Sequence, residues 1–323
     1  MRIDLEELAR TIRRFPGDVL SLLDDAGSIR IDGSYYLVKV DGYALSRSLY
    51  PWCSPEDWGF RAVASAVSDV IVKGCRPLAY AISVGLPPQW GYDELRKIVA
   101  GINEAVELFG GYIANFDTNY GFDGWIDVFV LAHCRVVPVP RSAEHGNVLI
   151  LSRPVGFGGA CLLAYSRRID VPESVKVYGC RPRINARVVE VIEKHREAIV
   201  GSIDVSDTLY EALMQLTQPS GLEPFITANP STILVGEYAE LCRELGISLE
   251  LCALSSCEEY AVLLAVREPY VNDVLNALRD AGEDPIELGY VVSKGLASWC
   301  GKPMPRIAWS HRSGALSMDT NTY

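Results

Sequence analysis

The sequence predicts an α+β protein of two domains in which helices pack on β-sheets. The 323 residues are enough for two domains with separate cores. Hydrophobic residues make up 49% and charged residues 22% of the chain, which is the balance of an ordinary globular protein. Runs with the two-residue period of strands alternate with runs that have the 3.6-residue period of helices. This alternation favours layers of helix on sheet.

In the first half, the sequence predicts strands and helices in alternation. Residues 34–40 are rich in aromatic and β-branched types, so we expect a buried strand that ends at Asp41. Residues 57–73 place apolar side chains on one helical face, and Gly74 ends this predicted helix. The other predicted elements are a strand at 76–87, a helix at 92–109, a strand at 112–117 that ends at Asp117, and a strand at 125–137. This order predicts an α+β or α/β layer with helices on one face.

The segment 136–147 is the best candidate for a domain boundary, because it combines prolines, a glycine and mixed charges. We expect an N-terminal domain at 1–140 and a C-terminal domain at 141–323. The predicted elements of the second domain are a strand at 147–152, a glycine-rich turn at 156–159 that leads into a helix, a helix at 184–197, a helix capped by Ser206 or Asp207 that runs to about Gln218, a strand at 260–266 and a helix at 269–281. The tail from about residue 293 lacks periodicity and is predicted to be irregular.

The charge of the chain argues against some classes of function. A formal net charge of −11 disfavours nonspecific binding to nucleic acid and docking on an anionic membrane. No apolar run approaches the length of a membrane span, and the first 15 residues have the pattern of an amphipathic helix rather than of a signal peptide. The same negative field would repel a free polyphosphate, so a protein of this charge that uses ATP needs metal ions in its site.

The nine cysteines contain no CxxC pair and show no regular spacing. The four histidines show no ligand spacing either. This pattern predicts reduced, mostly buried thiols in a cytoplasmic protein and argues against a zinc site.

Five acidic stretches are the strongest functional signal. They are Asp24-Asp25, Asp41, Asp69, Asp117 and the tetrad Asp204-Val205-Ser206-Asp207, and most of them adjoin an apolar run. Clustered carboxylates repel each other unless a positive charge lies among them, so a convergent set implies a bound cation. Ligands that are all oxygen favour Mg²⁺, Mn²⁺ or Ca²⁺, and a Mg²⁺ site of this kind usually holds a polyphosphate. The alternative is that each aspartate is a turn former or a helix cap.

Asp69 falls in the last two turns of the predicted helix, one residue before Val70 of the buried face. An uncompensated carboxylate there disfavours folding, so we expect a cation or a hydrogen-bond partner beside it. Lys39 and Asp41 share one face of their strand, so an ion pair between them is an open alternative.

An ordered set of motifs extends over nearly the whole chain. DDA at 24–26 is followed by VDG at 40–42, by SDVIVKGCRPL at 68–78 and by a strand that ends in DT at 117–118. The second half contains CRPRINARVVE at 180–190, SIDVSDTLYEAL at 202–213, CEEYAVLLAV at 257–266 and AWSH at 308–311. This set resembles the aminoimidazole ribonucleotide synthetase superfamily and, within it, the thiamine-monophosphate kinase family.

The resemblance implies a fold and an activity. The fold has two domains: an N-terminal domain that forms a dimeric β-sheet or barrel with flanking helices, and a C-terminal α/β sandwich. The implied protein is a homodimer that holds ATP and several Mg²⁺ ions in a groove beside the subunit interface. The implied reaction is ATP-dependent phosphoryl transfer to thiamine monophosphate, giving thiamine diphosphate and ADP. The acceptor oxygen is already anionic, so this reaction needs positioning and charge neutralisation rather than a strong base.

The resemblance also implies roles for individual residues. The implied metal ligands are Asp25, Asp41, Asp69, Asp117, Asp204 and Asp207. Of these, Asp204 and Asp207 lie near the transferred phosphate and are the implied catalytic pair. The implied nucleotide contacts are Phe116, Asp117, Arg141 and Ser206, and the implied acceptor contacts are Ser48, Glu258 and Trp309.

The chain departs from the kinase pattern at several positions. Asn115-Phe116 replaces two glycines before Asp117, and Lys39-Val40 replaces Ser-Thr before Asp41. Lys39 could point away from the site or substitute for a metal charge. The other departures are Ser48 in place of a histidine, Ser256-Cys257 in place of glycines, and Ala261 in place of a glutamate.

These departures leave two alternatives open. One is another ATP-dependent enzyme of the superfamily, such as an aminoimidazole ribonucleotide synthetase or a hydrogenase-maturation protein. The other is a nucleotide-binding relative without turnover. The tail has no cysteine after Cys300, and the DGVGTK sequence of the aminoimidazole enzyme is absent around Asp41; both observations disfavour the first alternative.

Overall fold

The fold is built on two β-sheets, each of which carries helices. The computed structural model describes residues 11–13, 15–21, 23–310 and 315–319. The α+β class predicted from the sequence is confirmed. None of the described helices combines the length and the apolar character that crossing a membrane requires.

The first sheet has five strands in the order β1-β2-β5-β3-β4. The strands are β1 (Gly27–Ile31), β2 (Ser34–Ala44), β3 (Cys75–Leu86), β4 (Tyr112–Tyr120) and β5 (Trp125–Cys134). Neighbouring strands are antiparallel except for β3 and β4, which are parallel. A short helix α1 (Leu45–Ser48) follows β2. The longer helix α2 (Pro55–Ile71) packs against the sheet, and α3 (Tyr92–Phe109) packs against α2. The boundaries of α3 are those that the sequence predicts.

Helix α2 is the central element of this half. Ser54 and Asp57 form a capping box at its first turn, with Pro55 as the first helical residue. Its backbone approaches α3 closely, since a Cβ atom on Gly59 would lie 2.2 Å from the carbonyl oxygen of Ile98. Because nearly the whole helix is buried, its polar residues need partners inside the protein.

The second sheet has six strands in the order β11-β8-β10-β6-β9-β7. The strands are β6 (Val148–Leu151), β7 (Ile199–Asp204), β8 (Leu222–Ile226), β9 (Val262–Val266), β10 (Ile286–Ser293) and β11 (Ser298–Trp299). The helices of this half are α4 (Phe157–Arg167), α5 (Glu173–Cys180), α6 (Val188–Lys194), α7 (Leu209–Thr217), α8 (Pro230–Ile233), α9 (Gly236–Glu244), α10 (Leu249–Ser255) and α11 (Val271–Asp280). A hairpin of β12 (Arg306–Ser310) and β13 (Ala315–Asp319) follows.

Three sequence predictions for this half are wrong in detail. The helix predicted at 184–197 is limited to α6, because residues 181–187 form an irregular segment before it. Neither Ser206 nor Asp207 caps α7: the side chain of Thr208 accepts the backbone N–H of Glu211 instead. The tail contains β11, β12 and β13 rather than irregular chain. The strands of the first sheet all precede residue 141 in the sequence, and those of the second sheet all follow it. A domain boundary between residues 140 and 141 therefore remains a proposal.

The predicted reduced state is wrong for six cysteines. Disulfides join Cys53 to Cys180, Cys75 to Cys134 and Cys242 to Cys252. Cys75 and Cys134 lie directly opposite each other on β3 and β5, and this pairing depends on strand register rather than on sequence spacing. Disulfides are rare in cytoplasmic proteins outside hyperthermophiles. The cytoplasmic location therefore loses the support of the cysteine pattern and stays a prediction.

Candidate active site

Most of the residues predicted for the site line one cavity of about 610 Å³. Those that line it are Asp25, Asp41, Ser48, Asp69, Arg141, Asp204, Ser206, Asp207 and Glu258. They come from both halves of the chain. The predicted convergence of distant aspartates is therefore seen at this cavity, with Asp117 as the exception.

Regular elements position these side chains. Lys39 and Asp41 are two residues apart on β2 and so point to the same face. On α2, Arg61, Ser65 and Asp69 recur every four residues and form a polar stripe on a buried helix. Asp204 is the last residue of β7, and Ser206 and Asp207 follow in the loop before α7.

One end of the cavity holds Asp24 and Asp25 with their own cations. The ammonium of Lys73, which is fully buried, lies 2.6 Å from an oxygen of each carboxylate and donates to the carbonyl oxygen of Ser202 at 2.7 Å. The contact to Asp25 is an ion pair rather than a hydrogen bond of standard geometry. The guanidinium of Arg141 donates to the other oxygen of Asp25. Burial alone would raise the pKa of Asp25, but Lys73 and Arg141 outweigh burial and lower that pKa.

A second group consists of Asp41, Asp69 and Asp204, with one lysine. Lys39 Nζ lies 2.7 Å from Asp69 Oδ2 and 4.0 Å from Asp41 Oδ1. The partner expected for Asp69 is thus Lys39, and the predicted Lys39–Asp41 pair is the longer of the two contacts. Burial raises the pKa of Asp69, and Lys39 opposes that effect.

Asp204 is a buried carboxylate whose two oxygens are only partly satisfied by the protein. It is 2% exposed, and its Oδ2 accepts a hydrogen bond from Ser68 Oγ at 2.6 Å. Its Oδ1 is buried and has no hydrogen-bond partner among the described residues. Burial, followed by the charge of Asp25, raises the pKa of Asp204 to about 6. A buried carboxylate oxygen without a partner is costly unless a ligand satisfies it.

These residues fit a divalent cation. Carboxylate oxygens of Asp25, Asp69 and Asp204 all lie within 4.8 Å of one another. The donors are all oxygen, which suits Mg²⁺ or Mn²⁺. The buried Oδ1 of Asp204 supplies an independent indication, since a cation would satisfy it.

The other end of the cavity is aromatic and centres on Glu258. Arg61 and the hydroxyl of Tyr50, at 3.0 Å, both donate to the Glu258 carboxylate. The guanidinium of Arg61 also lies over the ring of Tyr50, 4.9 Å from its centroid. The hydroxyls of Tyr43 and Tyr260 are 2.8 Å apart. Glu258 and Tyr260 adopt left-handed backbone conformations, with φ of 53° and 48°. Such conformations cost free energy and persist where the surrounding structure enforces them, often at ligand sites.

Sequence reasoning missed several of these residues. It did not identify Lys73, Arg61 or the three tyrosines. A signal for Arg61 was present, because an arginine at position 61 belongs to the polar stripe of α2. Lys73 gave no such signal, since a lysine beside the end of a helix usually interacts with the helix dipole in solvent.

Two predicted residues, Phe116 and Asp117, are not among the described residues that line the cavity, and for a third, Trp309, the prediction falls outside the described side chains. Phe116 and Asp117 lie on β4, the edge strand of the first sheet, and are exposed. Trp309 belongs to β12, and its side chain lies outside the described part of the structure, as does His311. Ser48 lines the cavity, but its hydroxyl donates to the carbonyl oxygen of Ala44 and accepts from Trp58 Nε1.

The glycine-rich turn predicted at 156–159 is instead the N-cap and first turn of α4, and none of its residues lines the cavity. A Cβ atom on Gly158 would lie 1.8 Å from the carbonyl oxygen of Cys257, so the turn needs glycine for close packing. The backbone N–H of Gly159 donates to the buried carboxylate of Glu259 at 3.2 Å. These contacts support a packing role for the turn rather than a phosphate cradle.

Part of the first half of the chain matches a known protein family. Residues 23–136 match the family described as AIR synthase related protein, N-terminal domain. These residues include all five strands of the first sheet together with α2 and α3. Residues 23–136 therefore resemble the N-terminal domain of proteins related to AIR synthase.

Over nearly its whole length the chain is similar to thiamine-monophosphate kinases, as its motifs predicted. The thiamine-monophosphate kinase of Pyrococcus abyssi is 26% identical over 299 residues, which cover 93% of each chain. Among solved structures, protein tt0281 of Thermus thermophilus has a TM-score of 0.84 and 26% identity, covering 94% of this chain and 97% of that one. AaThiL, solved in complex with AMPPCP and TMP, has a TM-score of 0.76 and 22% identity, covering 89% and 91%.

A relative with another name matches over a similar length. A putative hydrogenase expression/formation protein of Methanocaldococcus jannaschii is 26% identical over 285 residues, covering 85% of this chain and 81% of that protein. The two-domain fold is therefore shared between proteins with different names, and the assignment of a reaction depends on the site.

Proposed function

We propose that this protein is an ATP-dependent kinase that transfers a phosphoryl group to thiamine monophosphate, giving thiamine diphosphate and ADP. The observation that carries the proposal is the cavity in which Asp41, Asp69, Asp204 and Asp207 converge beside an aromatic pocket. The similarity to the Pyrococcus abyssi kinase over 93% of both chains supports the same reaction.

In this proposal the aspartate end of the cavity binds the nucleotide phosphates. Asp204 and Asp69 would hold Mg²⁺ together with Asp207. Asp25 borders the same group, and Asp41 lines the same cavity. When bound, Mg²⁺ neutralises negative charge on the phosphates of ATP. Arg141 is held by Asp25 at the cavity wall, where its charge and the hydroxyl of Ser206 are available to orient the nucleotide.

The aromatic end of the cavity binds the acceptor. Tyr43, Tyr50 and Tyr260 line this end of the cavity and give it an aromatic wall for a planar heterocycle. Arg61 fixes the carboxylate of Glu258 in one place, so Glu258 presents a positioned charge to the acceptor. The phosphate of the acceptor is anionic at neutral pH, so no side chain has to remove a proton from it.

We also propose that the protein works as a homodimer. Val40 and Phe129 lie opposite each other on β2 and β5, on the face of the first sheet that points away from α2. They are 66% and 37% exposed, respectively. Apolar groups on such a face favour burial against another surface, and a second copy would provide one. Phe116 and Asp117 lie in the same sheet, so we retain their nucleotide and metal roles as a proposal for the dimer.

The direct test is an assay of the purified protein with ATP, Mg²⁺ and thiamine monophosphate. We expect thiamine diphosphate and ADP in equal amounts, with no product when EDTA replaces Mg²⁺. Chromatographic separation of the thiamine phosphates measures the reaction. A protein that binds ATP without forming thiamine diphosphate would contradict the proposal.

A second enzyme class has one observation in its favour. The acceptor end differs from the kinase pattern at Ser48, Cys257 and Ala261, and the Methanocaldococcus jannaschii relative has a different name. Formation of ADP with another acceptor, and not with thiamine monophosphate, would support another ATP-dependent enzyme of the superfamily. A failure to turn over ATP under all conditions would support a nucleotide-binding relative without catalysis.

A further inference from the structure

We infer that Lys39 is a built-in cation of the polyphosphate site, which supplies positive charge where a further divalent ion would otherwise bind. The inference rests on the proposed function, because it concerns how the same cavity neutralises ATP and its aspartates. It predicts that this chain binds fewer divalent ions than its aspartates alone would allow.

The position of Lys39 carries the first step. Its strand points it into the cavity on the same face as Asp41, and its side chain is 20% exposed. Its ammonium is 2.7 Å from Asp69 Oδ2 and 4.0 Å from Asp41 Oδ1. An ammonium at these distances engages the same carboxylates that would otherwise ligate a metal ion.

The distribution of charge carries the second step. Asp24 and Asp25 are matched by Lys73 and Arg141, which contact their oxygens directly. The aspartates that remain along the cavity are Asp41, Asp69, Asp204 and Asp207. Lys39 contacts the first two of these, whereas Oδ1 of Asp204 has no hydrogen-bond partner among the described residues. The part of the cavity around Asp41 and Asp69 therefore already has a cation, Lys39, whereas the part around Asp204 has an oxygen that a metal ion would satisfy.

The chemistry of the two cations gives the consequence. Lysine carries a single fixed charge on a side chain that cannot leave, whereas Mg²⁺ must be recruited and must shed part of its water. Two cations cannot share Asp69 Oδ2 without repulsion, so a divalent ion between Asp41 and Asp69 is excluded while Lys39 stays charged. Divalent ions are then confined to the part of the cavity around Asp204.

The test counts metal ions in the variant Lys39→Met, which keeps the length of the side chain and removes its charge. The full-length protein is loaded with Mn²⁺ and AMPPCP, and bound Mn²⁺ is measured by equilibrium dialysis and electron paramagnetic resonance. We expect one more Mn²⁺ per chain in Lys39→Met than in the wild type. Lys39→Arg, which keeps the charge, is expected to retain the wild-type number. Lys97→Met is the matched control, because it removes an exposed lysine that does not line the cavity.

An unchanged number of Mn²⁺ ions in Lys39→Met would overturn the inference and leave Lys39 as a structural partner of Asp69. If Lys39→Met is unfolded without metal, its thermal melting is followed with increasing Mn²⁺. Recovery of the wild-type melting temperature would support the inference, and failure to recover would overturn it. Because the measurement uses no acceptor, it is independent of whether thiamine diphosphate forms. A protein that fails the kinase assay but gains a Mn²⁺ ion on Lys39→Met would refute the proposed acceptor and retain this inference.

Discussion

Asp25 and Asp204 are both buried at the same cavity, yet their surroundings differ in one decisive respect. Both oxygens of Asp25 lie against side-chain cations, and these cations lower its pKa. Asp204 has one oxygen bonded to Ser68 and another without a hydrogen-bond partner among the described residues, and its pKa is raised to about 6. The difference shows that burial alone does not identify a metal ligand. The informative feature is a buried oxygen, such as Oδ1 of Asp204, that has neither a hydrogen bond nor an ion pair with the described residues, whereas Oδ2 of Asp25 has an ion pair with Lys73.

The largest effect on stability is expected from removing the charge of Lys73, which lies between Asp24 and Asp25. Lys73→Met leaves Asp24 and Asp25 buried with one cation fewer, and breaking a buried ion pair in this way costs about 3–5 kcal/mol. We expect the free energy of unfolding in denaturant to fall by that amount. Lys97→Met, at an exposed site, should leave it nearly unchanged. A loss below about 1 kcal/mol for Lys73→Met would show that Asp24 and Asp25 do not depend on Lys73.

The complementary change removes the charge of the second group. Asp204→Asn takes away a proposed metal ligand, so we expect turnover to fall at least about 100-fold, as happens when a group that stabilises developing charge is lost. The same change relieves a buried carboxylate, so the free energy of unfolding without metal should stay constant or rise. Assays of turnover and chemical denaturation on one preparation measure both effects. Near-normal turnover together with a lower free energy of unfolding would show that Asp204, like Asp25, stabilises the fold and does not bind the metal ion.

Asp207→Asn extends that test to the loop after β7. We expect it to abolish turnover and to leave the circular dichroism spectrum and the melting temperature close to those of the wild type. Activity near that of the wild type would show that the tetrad at 204–207 is structural.

A smaller effect, on the pH dependence of stability, is expected from Glu259, which lies outside the cluster of aspartates. Burial raises the pKa of Glu259 from 4.5 to about 7, against the opposing N–H groups of the glycine-rich turn. Between these two values the folded protein holds a proton that the unfolded chain has lost, so stability falls as the pH rises. The decrease due to this group should be about 2 kcal/mol between pH 5 and pH 7. Glu259→Gln should remove that part of the pH dependence, as measured by denaturation at each pH, and an unchanged slope would contradict this account.

Much of the fold could be predicted because local pattern and tertiary structure agree. The helix at 92–109 is amphipathic, and its predicted boundaries are those observed. The tail was predicted to be irregular because the pairing of β12 with β13 is defined by register between two short segments rather than by a strong pattern in either. The disulfides were missed for a similar reason: Cys53 and Cys180 are 127 residues apart, with Cα atoms at 5.4 Å.

The site was predictable in its acidic residues and less so in its cations. Aspartates beside apolar runs stand out in a sequence, because a carboxylate near a buried face needs an explanation. Lys73 and Arg61 bind carboxylates from distant parts of the chain. The polar stripe of α2 marks Arg61 as unusual, but it does not reveal that Glu258 is its partner, and nothing near Lys73 reveals its partners. The sequence therefore located the negative charges of the cavity and not the way in which the protein balances them.

The central claim is that divalent ions bind around Asp204, beside Asp69, rather than between Asp24 and Asp25. The most direct measurement is anomalous X-ray diffraction from a crystal grown with Mn²⁺ and AMPPCP. The account predicts an anomalous peak within bonding distance of Asp204 Oδ1, shared with the nucleotide phosphates, and Lys73 still in contact with Asp24 and Asp25. A peak between Asp24 and Asp25, or no peak in the cavity while AMPPCP is bound, would contradict it.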